Sequence, residues 1–380
     1  MLAYRLPGWG MPPILTDVPV PTPAPGEFLI RVAGCGLCRS DLTMRAMPRT
    51  YGEKLGWQIP FTLGHETAGW IAAAPALVPA AIPARTSPSH PRAPSPSTVG
   101  DISDISSLSV TVDPVVRDLA VGDAVALVAA ASCGTCPLCL RGLDNACPSG
   151  VTGRGFGRDG GLAEFVLAGS RRELIPLGPL DPRHAGPLTD AGATAYHAVR
   201  RALPHILPDG TAVVIGAGGL GAFAVQFLRV LTTAHVIAVD TNPARLDYAT
   251  TLGAHSALPA LTTTGADAVL DFVGTDETIA AGLGALRPGG AYALIGSSGG
   301  RLNRPWFGTL PRDAEIFTFQ GGTIADAHEV IALAAAGRIR NEIEEFPHTA
   351  IDKAYTHLTT GTLTGRAVIT FPASAPPGHP

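Results

Sequence analysis

The feature that most constrains the fold is an alternation of short apolar segments and helical segments over the second half of the chain. The predicted strands lie at 211–215, 235–239, 267–272, 291–295 and 367–371, and the predicted helices at 185–203, 221–231, 245–252, 278–286 and 329–336. Apolar strands separated by helices are typical of a parallel sheet with helices on both faces. We therefore predict an α/β fold with a doubly wound parallel sheet.

A glycine motif joins the first of these strands to the helix that follows it. Gly216, Gly218 and Gly221 form G-x-G-x-x-G, in which glycines permit a tight turn, close approach of a pyrophosphate and close helix–strand packing. Asp240 ends the next strand, 24 residues after Gly216, where a carboxylate can bind ribose hydroxyls and repel a 2′-phosphate. The motif predicts a dinucleotide site that prefers NAD(H) to NADP(H). The alternative for Asp240 is a helix cap.

The first half of the chain is β-rich and contains a segment of unusual composition. Strands are predicted at 28–32, within 62–74 and within 119–127. Seven prolines and no aromatic residue occur between Pro75 and Pro96. We interpret 75–117 as a solvent-exposed insertion between two strands, with partner binding or a role in assembly as the alternative.

Charge and composition narrow the class of partner. A net charge of -4 argues against nucleic acid or an anionic membrane as the main partner. The N-terminus lacks the basic start and apolar run of a secretory signal. The uncharged segment 212–228 contains the glycine motif, so strand–turn–helix explains it better than a membrane span. We expect a cytoplasmic protein that acts on a small molecule.

Four of the six cysteines form the pattern C-x2-C-x2-C-x7-C, at Cys133, Cys136, Cys139 and Cys147. In a reducing compartment such a cluster indicates metal rather than disulfides. Four thiolates can form a closed structural zinc site. An iron–sulfur cluster is the alternative, although ferredoxin-type motifs place the fourth cysteine after three residues. We favour structural zinc, which leaves no coordination position for a substrate.

A second group of metal-binding residue types is scattered along the chain. Cys38 lies in C-R-S-D at 38–41, and His65 and Glu66 lie in G-H-E at 64–66. Isolated residues of these types are most often ordinary core or surface residues. Together with a nucleotide motif, they indicate a catalytic zinc with thiolate and imidazole ligands.

In this order, C-R-S-D, G-H-E, V-G-D, the cysteine quartet and G-x-G-G-L-G resemble the zinc-dependent medium-chain alcohol dehydrogenase family. The resemblance covers nearly the whole chain and extends to bacterial NAD-dependent secondary-alcohol dehydrogenases. It implies a GroES-like β-rich catalytic domain, a Rossmann domain, two zinc ions per subunit, and a homodimer or homotetramer. It also implies reversible hydride transfer between an alcohol and NAD. A polyol or sugar-alcohol dehydrogenase and a silent nicotinamide-binding relative with structural zinc alone are the alternatives.

The resemblance further implies a division of the chain. The GroES-like domain would comprise residues 1–182, with the zinc lobe and the insertion at 75–117. The Rossmann domain would comprise 183–322, and residues 323–380 would return to the catalytic domain.

The same resemblance implies the ligands of the catalytic zinc. They would be Cys38, His65 and Asp190, with Glu66 as an alternate ligand or a carboxylate beside the metal. Asp190 lies in P-L-T-D-A-G at 187–192, where much of the family has a cysteine or glutamate ligand. The alternative for Asp190 is a helix cap.

Other residues receive roles from the resemblance alone. Ser40 would bind the substrate oxygen and pass its proton towards the cofactor ribose, and Thr43 stands where some relatives have a relay histidine. The substrate pocket would be lined by Thr43, Trp57 and residues 319–320, and Thr43 and Gln320 replace aromatic residues, which predicts a roomier and more polar pocket. Further cofactor contacts would come from Arg39, Thr194, Gly219, Leu220, Arg245, Val273, Ile295 and Arg366.

Overall fold

The computed structural model describes residues 1–75 and 119–372, so the predicted insertion lies, apart from Pro75, outside the described residues. The strands are β1 (Leu2–Leu6), β2 (Ile14–Asp17), β3 (Phe28–Gly36), β4 (Phe61–Thr62), β5 (Glu66–Ala73), β6 (Ala124–Leu127), β7 (Gly153–Arg154), β8 (Gly157–Arg158), β9 (Phe165–Ala168), β10 (Leu174–Pro176), β11 (Thr211–Ile215), β12 (His235–Val239), β13 (Ser256–Leu258), β14 (Ala266–Asp271), β15 (Leu286–Leu294), β16 (Glu315–Thr318), β17 (Ile343–Pro347) and β18 (Arg366–Thr370). The α-helices are α1 (Arg39–Arg45), α2 (Arg49–Lys54), α3 (Pro182–Ala185), α4 (Ala191–Ala202), α5 (Gly219–Leu231), α6 (Pro243–Thr251), α7 (Asp276–Ala285), α8 (Ile324–Ala335) and α9 (Ile351–Thr360).

The N-terminal part of the chain folds around a seven-stranded, mainly antiparallel sheet. Its order is β10-β6-β5-β3-β18-β17, and β9 also pairs with β3. The last strand, β18, lies antiparallel to β3, with Val368 opposite Gly36, so the end of the described chain completes the sheet begun near the N-terminus. Tyr4, Ile30 and Leu127 are among the fully buried residues of this core. The predicted β-rich fold is confirmed.

The second sheet has six parallel strands in the order β13-β12-β11-β14-β15-β16. The strands predicted at 211–215 and 235–239 are confirmed residue for residue as β11 and β12. Strands and helices share a core that includes Val214, Phe227 and Leu270. Because β11 lies between β12 and β14, the chain reverses its direction of strand addition there, and a crevice forms at the carboxyl ends of the strands.

The prediction of one continuous helix at 185–203 is wrong. The chain forms α3, a 3-10 turn over Gly186–Thr189, and then α4. Asp190 has φ -119° and ψ -73°, outside the α-helical values, so the helix restarts after it. The 3-10 turn packs against β5, and an added Cβ on Gly186 would lie 2.0 Å from the backbone oxygen of Glu66. The break therefore places Asp190 beside the start of β5.

The helix predicted at 329–336 begins earlier, at Ile324. Thr323 accepts a hydrogen bond from the amide of Asp326, and the Asp326 carboxylate accepts one from the amide of Thr323. This capping box fixes the helix start ahead of the apolar segment that the prediction relied on.

Across residues 1–75 and 119–372, none of the helices combines the length and apolar character needed to cross a bilayer.

Candidate active site and zinc lobe

The structure brings together the four residues proposed around the catalytic metal. Cys38 follows β3, His65 directly precedes β5, Glu66 is the first residue of β5, and Asp190 directly precedes α4. One potential ligand atom from each residue lies within 4.8 Å of the others. A thiolate, an imidazole and carboxylate oxygens at this separation fit the donor set of a zinc ion.

Asp190 faces this cluster rather than its own helix. Its side chain makes no capping hydrogen bond to α4. Its Oδ2 lies 3.4 Å from Nε2 of His65, and the side chain remains 20% exposed. Burial would raise the pKa of Asp190, but the hydrogen bond to His65, the charge of that ring and Arg366 hold the pKa below its ordinary value. The geometry therefore counts against the helix-cap interpretation.

His65 lies in a strongly electronegative setting. Burial lowers the pKa of His65, but hydrogen bonding to Asp190 and Asp41, together with the Asp41 charge, raises the pKa well above its ordinary value. A field that stabilises a proton on this ring would also stabilise a divalent cation beside it.

Asp41 is a part of the site that the sequence reasoning did not assign. Its Oδ2 accepts a hydrogen bond from the amide of Cys38 at 3.0 Å, and its Oδ1 lies 3.3 Å from Nδ1 of His65. The residue is fully buried at the first turn of α1. Asp41 therefore orients two of the proposed ligands, as carboxylates behind metal-binding histidines commonly do. The C-x-x-D spacing, similar to a capping box, was the available signal.

Glu66 is fully buried and paired with a cation. Its Oε1 accepts a hydrogen bond from Nη2 of Arg366, while its Oε2 has no hydrogen-bond partner among the described residues. Burial raises the pKa of Glu66 to about 7, against the opposing effect of Arg366. The free oxygen lies within reach of the cluster, so Glu66 fits a reserve ligand better than a permanent one.

Ser40 and Thr43 lie on α1 beside the cluster but differ in exposure. Ser40 Oγ lies 3.4 Å from Nε2 of His65 and is half-buried. Thr43, one turn further along the helix, is exposed. The spacing of three residues places both hydroxyls on the same side of α1.

The glycine turn has the geometry that the motif predicts. A Cβ on Gly221 would lie 1.9 Å from the backbone oxygen of Gly216, so only glycine allows α5 to begin so close to β11. Asp240, at the end of β12, accepts hydrogen bonds from the amides of Ala217 and Asn242, both at 2.9 Å. Nη1 of Arg245 lies 3.8 Å from Asp240 Oδ2. The adenosine end of the predicted cofactor site therefore contains both a carboxylate and a guanidinium.

Apart from the arginines, the other predicted cofactor residues lie in the first turn of a helix or just after a strand. Gly219 and Leu220 open α5, Thr194 is buried on the first turn of α4, and Val273 and Ile295 follow β14 and β15 at the carboxyl edge of the sheet. The fully buried Asp271 accepts hydrogen bonds from the amides of Val273 and Gly274, a fixing contact that the sequence reasoning did not identify.

The two remaining predicted arginines, Arg366 and Arg39, differ in their contacts. The Arg366 side chain packs over Gly219, within 2.8 Å of an added Cβ, while also binding Glu66. Arg39 is exposed and makes no side-chain hydrogen bond or ion pair in the described part of the chain, so no contact of this kind ties it to the turn.

The cysteine quartet forms a separate lobe. Its Sγ–Sγ distances include 3.6 Å (Cys133–Cys147), 3.9 Å (Cys136–Cys147) and 4.0 Å (Cys133–Cys139). Zinc–sulfur bonds of about 2.3 Å in a tetrahedron require sulfur separations of about 3.8 Å. An iron–sulfur cluster, with its own sulfides, would hold the thiolates further apart. Hydrogen bonds from Thr135 and Cys136 lower the pKa of Cys133 to about 6, which favours the thiolate.

An aromatic wall closes one side of the candidate active site. The ring centroid of Phe156 lies 4.7 Å from that of His65 and 6.3 Å from that of Trp57. Phe156 was not predicted, because the short turn between β7 and β8 that carries it has no sequence signal linking it to His65. Phe319, a predicted pocket residue, packs against His197 on α4 at 4.6 Å.

This combination of folds and sites defines a metal-dependent dehydrogenase with a dinucleotide-type α/β domain. Comparisons with known proteins agree with it. The model for the alcohol dehydrogenase GroES-like domain matches residues 24–82 and 84–179, and the model for the zinc-binding dehydrogenase matches residues 219–336. The chain belongs to the zinc-dependent medium-chain alcohol dehydrogenase family.

Individual relatives are similar over almost their whole length. A D-arabinose 1-dehydrogenase (NADP(+)) of Saccharolobus solfataricus is 31% identical, over 94% of this chain and 93% of the relative. An NAD-dependent alcohol dehydrogenase of Sulfurisphaera tokodaii is 30% identical, over 90% and 91% respectively. The crystal structure of the alcohol dehydrogenase from Aeropyrum pernix has a TM-score of 0.79 and 28% identity, over 97% of this chain and all of that one.

Proposed function

We propose that this protein is an NAD(H)-dependent alcohol dehydrogenase and ketone reductase that acts on a secondary alcohol. The observation that carries the proposal is the position of Arg366. Its guanidinium binds Glu66 in the metal cluster and packs over Gly219 at the glycine turn. The candidate metal site and the candidate cofactor site are therefore adjacent, as hydride transfer requires.

Cys38, His65 and Asp190 would hold the catalytic zinc, and Cys133, Cys136, Cys139 and Cys147 the structural zinc. A bound zinc ion supplies Lewis acidity towards an alcohol or carbonyl oxygen, and NAD(H) carries the hydride. Glu66, neutralised by Arg366, provides a carboxylate that can replace a ligand without adding net charge to the site.

The chain's own hydroxyl groups would manage the proton. Ser40 lies beside His65, so its Oγ can accept the alcohol proton and release its own. Thr43 stands one turn further towards solvent and provides the next hydroxyl. Ser40 would also orient the substrate oxygen, because its hydroxyl can both donate and accept.

The cofactor would lie along the carboxyl edge of the parallel sheet. Its pyrophosphate would meet the amides at the start of α5 and Arg366, and its adenosine ribose would meet Asp240 and Arg245. Its nicotinamide would lie towards Asp190. The residues assigned to this site are Arg39, Thr194, Gly216, Gly218, Gly219, Leu220, Gly221, Asp240, Arg245, Val273, Ile295 and Arg366.

A screen of secondary, primary and polyhydroxy alcohols with NAD, combined with zinc analysis, tests the proposal. We expect turnover of secondary alcohols and two zinc ions per subunit. A sugar or polyol is the second candidate substrate, because Thr43 and Gln320 are exposed polar residues and one relative is named for arabinose. One zinc and no turnover would identify a catalytically silent protein.

The aromatic wall leads to a prediction about substrate size. Ketones bulkier than acetone should be reduced, because Thr43 and Gln320 occupy positions where similar enzymes have aromatics. Phe156→Ala should raise kcat/KM for the bulkiest accepted ketone relative to the smallest by about tenfold, since pocket volume discriminates on this scale. Strict restriction of the unmodified enzyme to acetone-sized substrates would contradict the prediction.

We further propose a homodimer or homotetramer. Trp306 and Phe307 are 75% and 80% exposed in the connection that leads to β16, the edge strand of the parallel sheet. Adjacent exposed aromatics beside an edge strand are typical of an interface. Trp306→Ser combined with Phe307→Ser should lower the mass measured by light scattering, whereas Leu140→Ser, at the 74% exposed leucine on the zinc lobe, should leave it unchanged.

We also propose the division into a catalytic domain (1–182), a nucleotide domain (183–322) and a return to the catalytic domain (323–380).

We propose a cytoplasmic location as well. All six cysteines are free thiols in the structure, which is consistent with a reducing compartment.

A further inference from the structure

The zinc lobe contacts a distant loop through two side chains that lie between its third and fourth cysteines. Asp144 is only 4% exposed, and its Oδ2 accepts a hydrogen bond from the amide of Ile324 at 2.7 Å. Its Oδ1 lies 3.7 Å from Nη2 of Arg172. Asn145 Nδ2 lies 3.4 Å from the carbonyl oxygens of both Gln320 and Gly321. These bonds span between 175 and 180 residues of sequence.

The amide that Asp144 binds belongs to the first residue of α8. The first amides of a helix have no acceptor within the helix, and the Thr323 hydroxyl serves the amide of Asp326. Asp144 therefore supplies a second cap to α8 from the zinc lobe. A carboxylate at this end is also favoured by the helix dipole, and α8 has 12 residues.

Residues 319–323 form the loop that Asp144 and Asn145 contact, and this loop also packs closely against α4. A Cβ on Gly322 would lie 2.5 Å from the backbone oxygen of Ala193, between Asp190 and Thr194 in sequence. Asp326, which closes the loop, receives hydrogen bonds from His197 at 2.7 Å and Arg200 at 3.1 Å. The zinc lobe, the 319–323 loop and α4 thus form one continuous set of contacts.

Burial of the Asp144 carboxylate indicates that the residue has a role outside the cysteine cluster. Removing a carboxylate from water is costly unless hydrogen bonds compensate, and closing four thiolates around zinc does not require a buried carboxylate facing another element. The α8 amide and Arg172 compensate the charge of Asp144. We therefore interpret this contact as one that attaches the zinc lobe to the start of α8.

We propose that Asp144 and Asn145 are positioning residues through which the structural zinc lobe holds the 319–323 loop against α4. The zinc lobe would thereby set the position of α4, the helix that directly follows Asp190. The lobe would then do more than stabilise itself. The contact stands independently of the catalytic assignment, but its effect on kinetics rests on the proposed function.

Hydrogen exchange measured by mass spectrometry on zinc-loaded Asp144→Ala tests the inference directly. We expect both zinc ions to be retained and the first turn of α8, within 319–331, to exchange about tenfold faster, because a hydrogen bond to a charged group is lost. KM for the alcohol should rise severalfold while kcat changes little. Asp144→Asn, which keeps an acceptor oxygen, should recover most of the protection.

Arg141→Ala is the matched control, because Arg141 is exposed on the same lobe and its side chain makes no hydrogen bond among the described residues. Unchanged exchange at 319–331 in Asp144→Ala would overturn the inference. Loss of one zinc with faster exchange confined to 133–147 would do the same, because Asp144 would then serve the lobe alone.

Asn145→Ala gives a milder version of the test if Asp144→Ala does not fold, since it removes only the two 3.4 Å contacts. Faster exchange at 319–331 in Asn145→Ala would support the inference, and exchange equal to that of Arg141→Ala would refute it. If the unmodified protein oxidises no alcohol, the proposed function fails while the exchange result still decides the docking.

Discussion

Asp190→Ala is expected to retain one zinc ion per subunit and to oxidise alcohols about a thousandfold more slowly than the unmodified protein, if at all. In the proposed site, the change would leave Cys38 and His65 as ligands. Glu66 can offer its free Oε2 to the metal in passing, but with Oε1 bound by Arg366 it does not replace Asp190 as a permanent ligand. Metal analysis by mass spectrometry and a steady-state assay with NAD measure the two outcomes.

The structure offers a matched control for the competing view that Asp190 stabilises a helix. Asp181 precedes α3, and its carboxylate accepts a hydrogen bond from the amide of Arg183 at 2.9 Å, whereas Asp190 makes no such bond to α4. Asp181→Ala should therefore lower thermal stability slightly and keep both zinc ions. Asp190→Cys should regain metal and part of the activity, because a thiolate is a good zinc ligand. Two zinc ions in Asp190→Ala would refute the assignment.

The contrast between β11 and Asp190 shows which parts of the fold could be predicted from the sequence. β11 and β12 were predicted to the residue, because buried parallel strands are continuous apolar runs ended by glycine or aspartate. The break before α4 was missed, because Pro187 falls in the first turn of the predicted helix, where proline is tolerated. The 3-10 turn follows from packing of Gly186 on β5, a contact that is not visible in the local pattern.

The candidate site divides in the same way. Residue types and motif order single out Cys38, His65 and the cysteine quartet, since few other patterns use these residues at these spacings. The contacts of Asp41, Phe156 and Asp144 depend on which segments meet in three dimensions. Asp144 in particular reads as an ordinary polar residue of the lobe, and only its bond to Ile324 reveals a docking contact.

Asp240→Ser should shift the preference from NAD towards NADP by about a hundredfold in the ratio of kcat/KM values. Two effects combine: the carboxylate that would repel a 2′-phosphate is removed, and Arg245 is already nearby to bind it. Nη2 of Arg245 donates a hydrogen bond to the carbonyl of Gly361 at 3.3 Å, so its guanidinium is held beside the turn in advance.

The double variant Asp240→Ser with Arg245→Ala separates these two effects. In the double variant, the part of the NADP gain that comes from removing the repulsive carboxylate should persist, whereas the part that comes from attraction by Arg245 should disappear. The gain in kcat/KM for NADP relative to NAD should therefore be about tenfold smaller than in Asp240→Ser. The unmodified protein is the critical reference, because relatives of nearly equal identity are named for NADP(+) and for NAD. Asp240 carries the preference only while its charge dominates that of Arg245. Tighter use of NADP by the unmodified protein would show instead that Arg245 dominates, and that both Asp240 oxygens are occupied in holding the turn through Ala217 and Asn242.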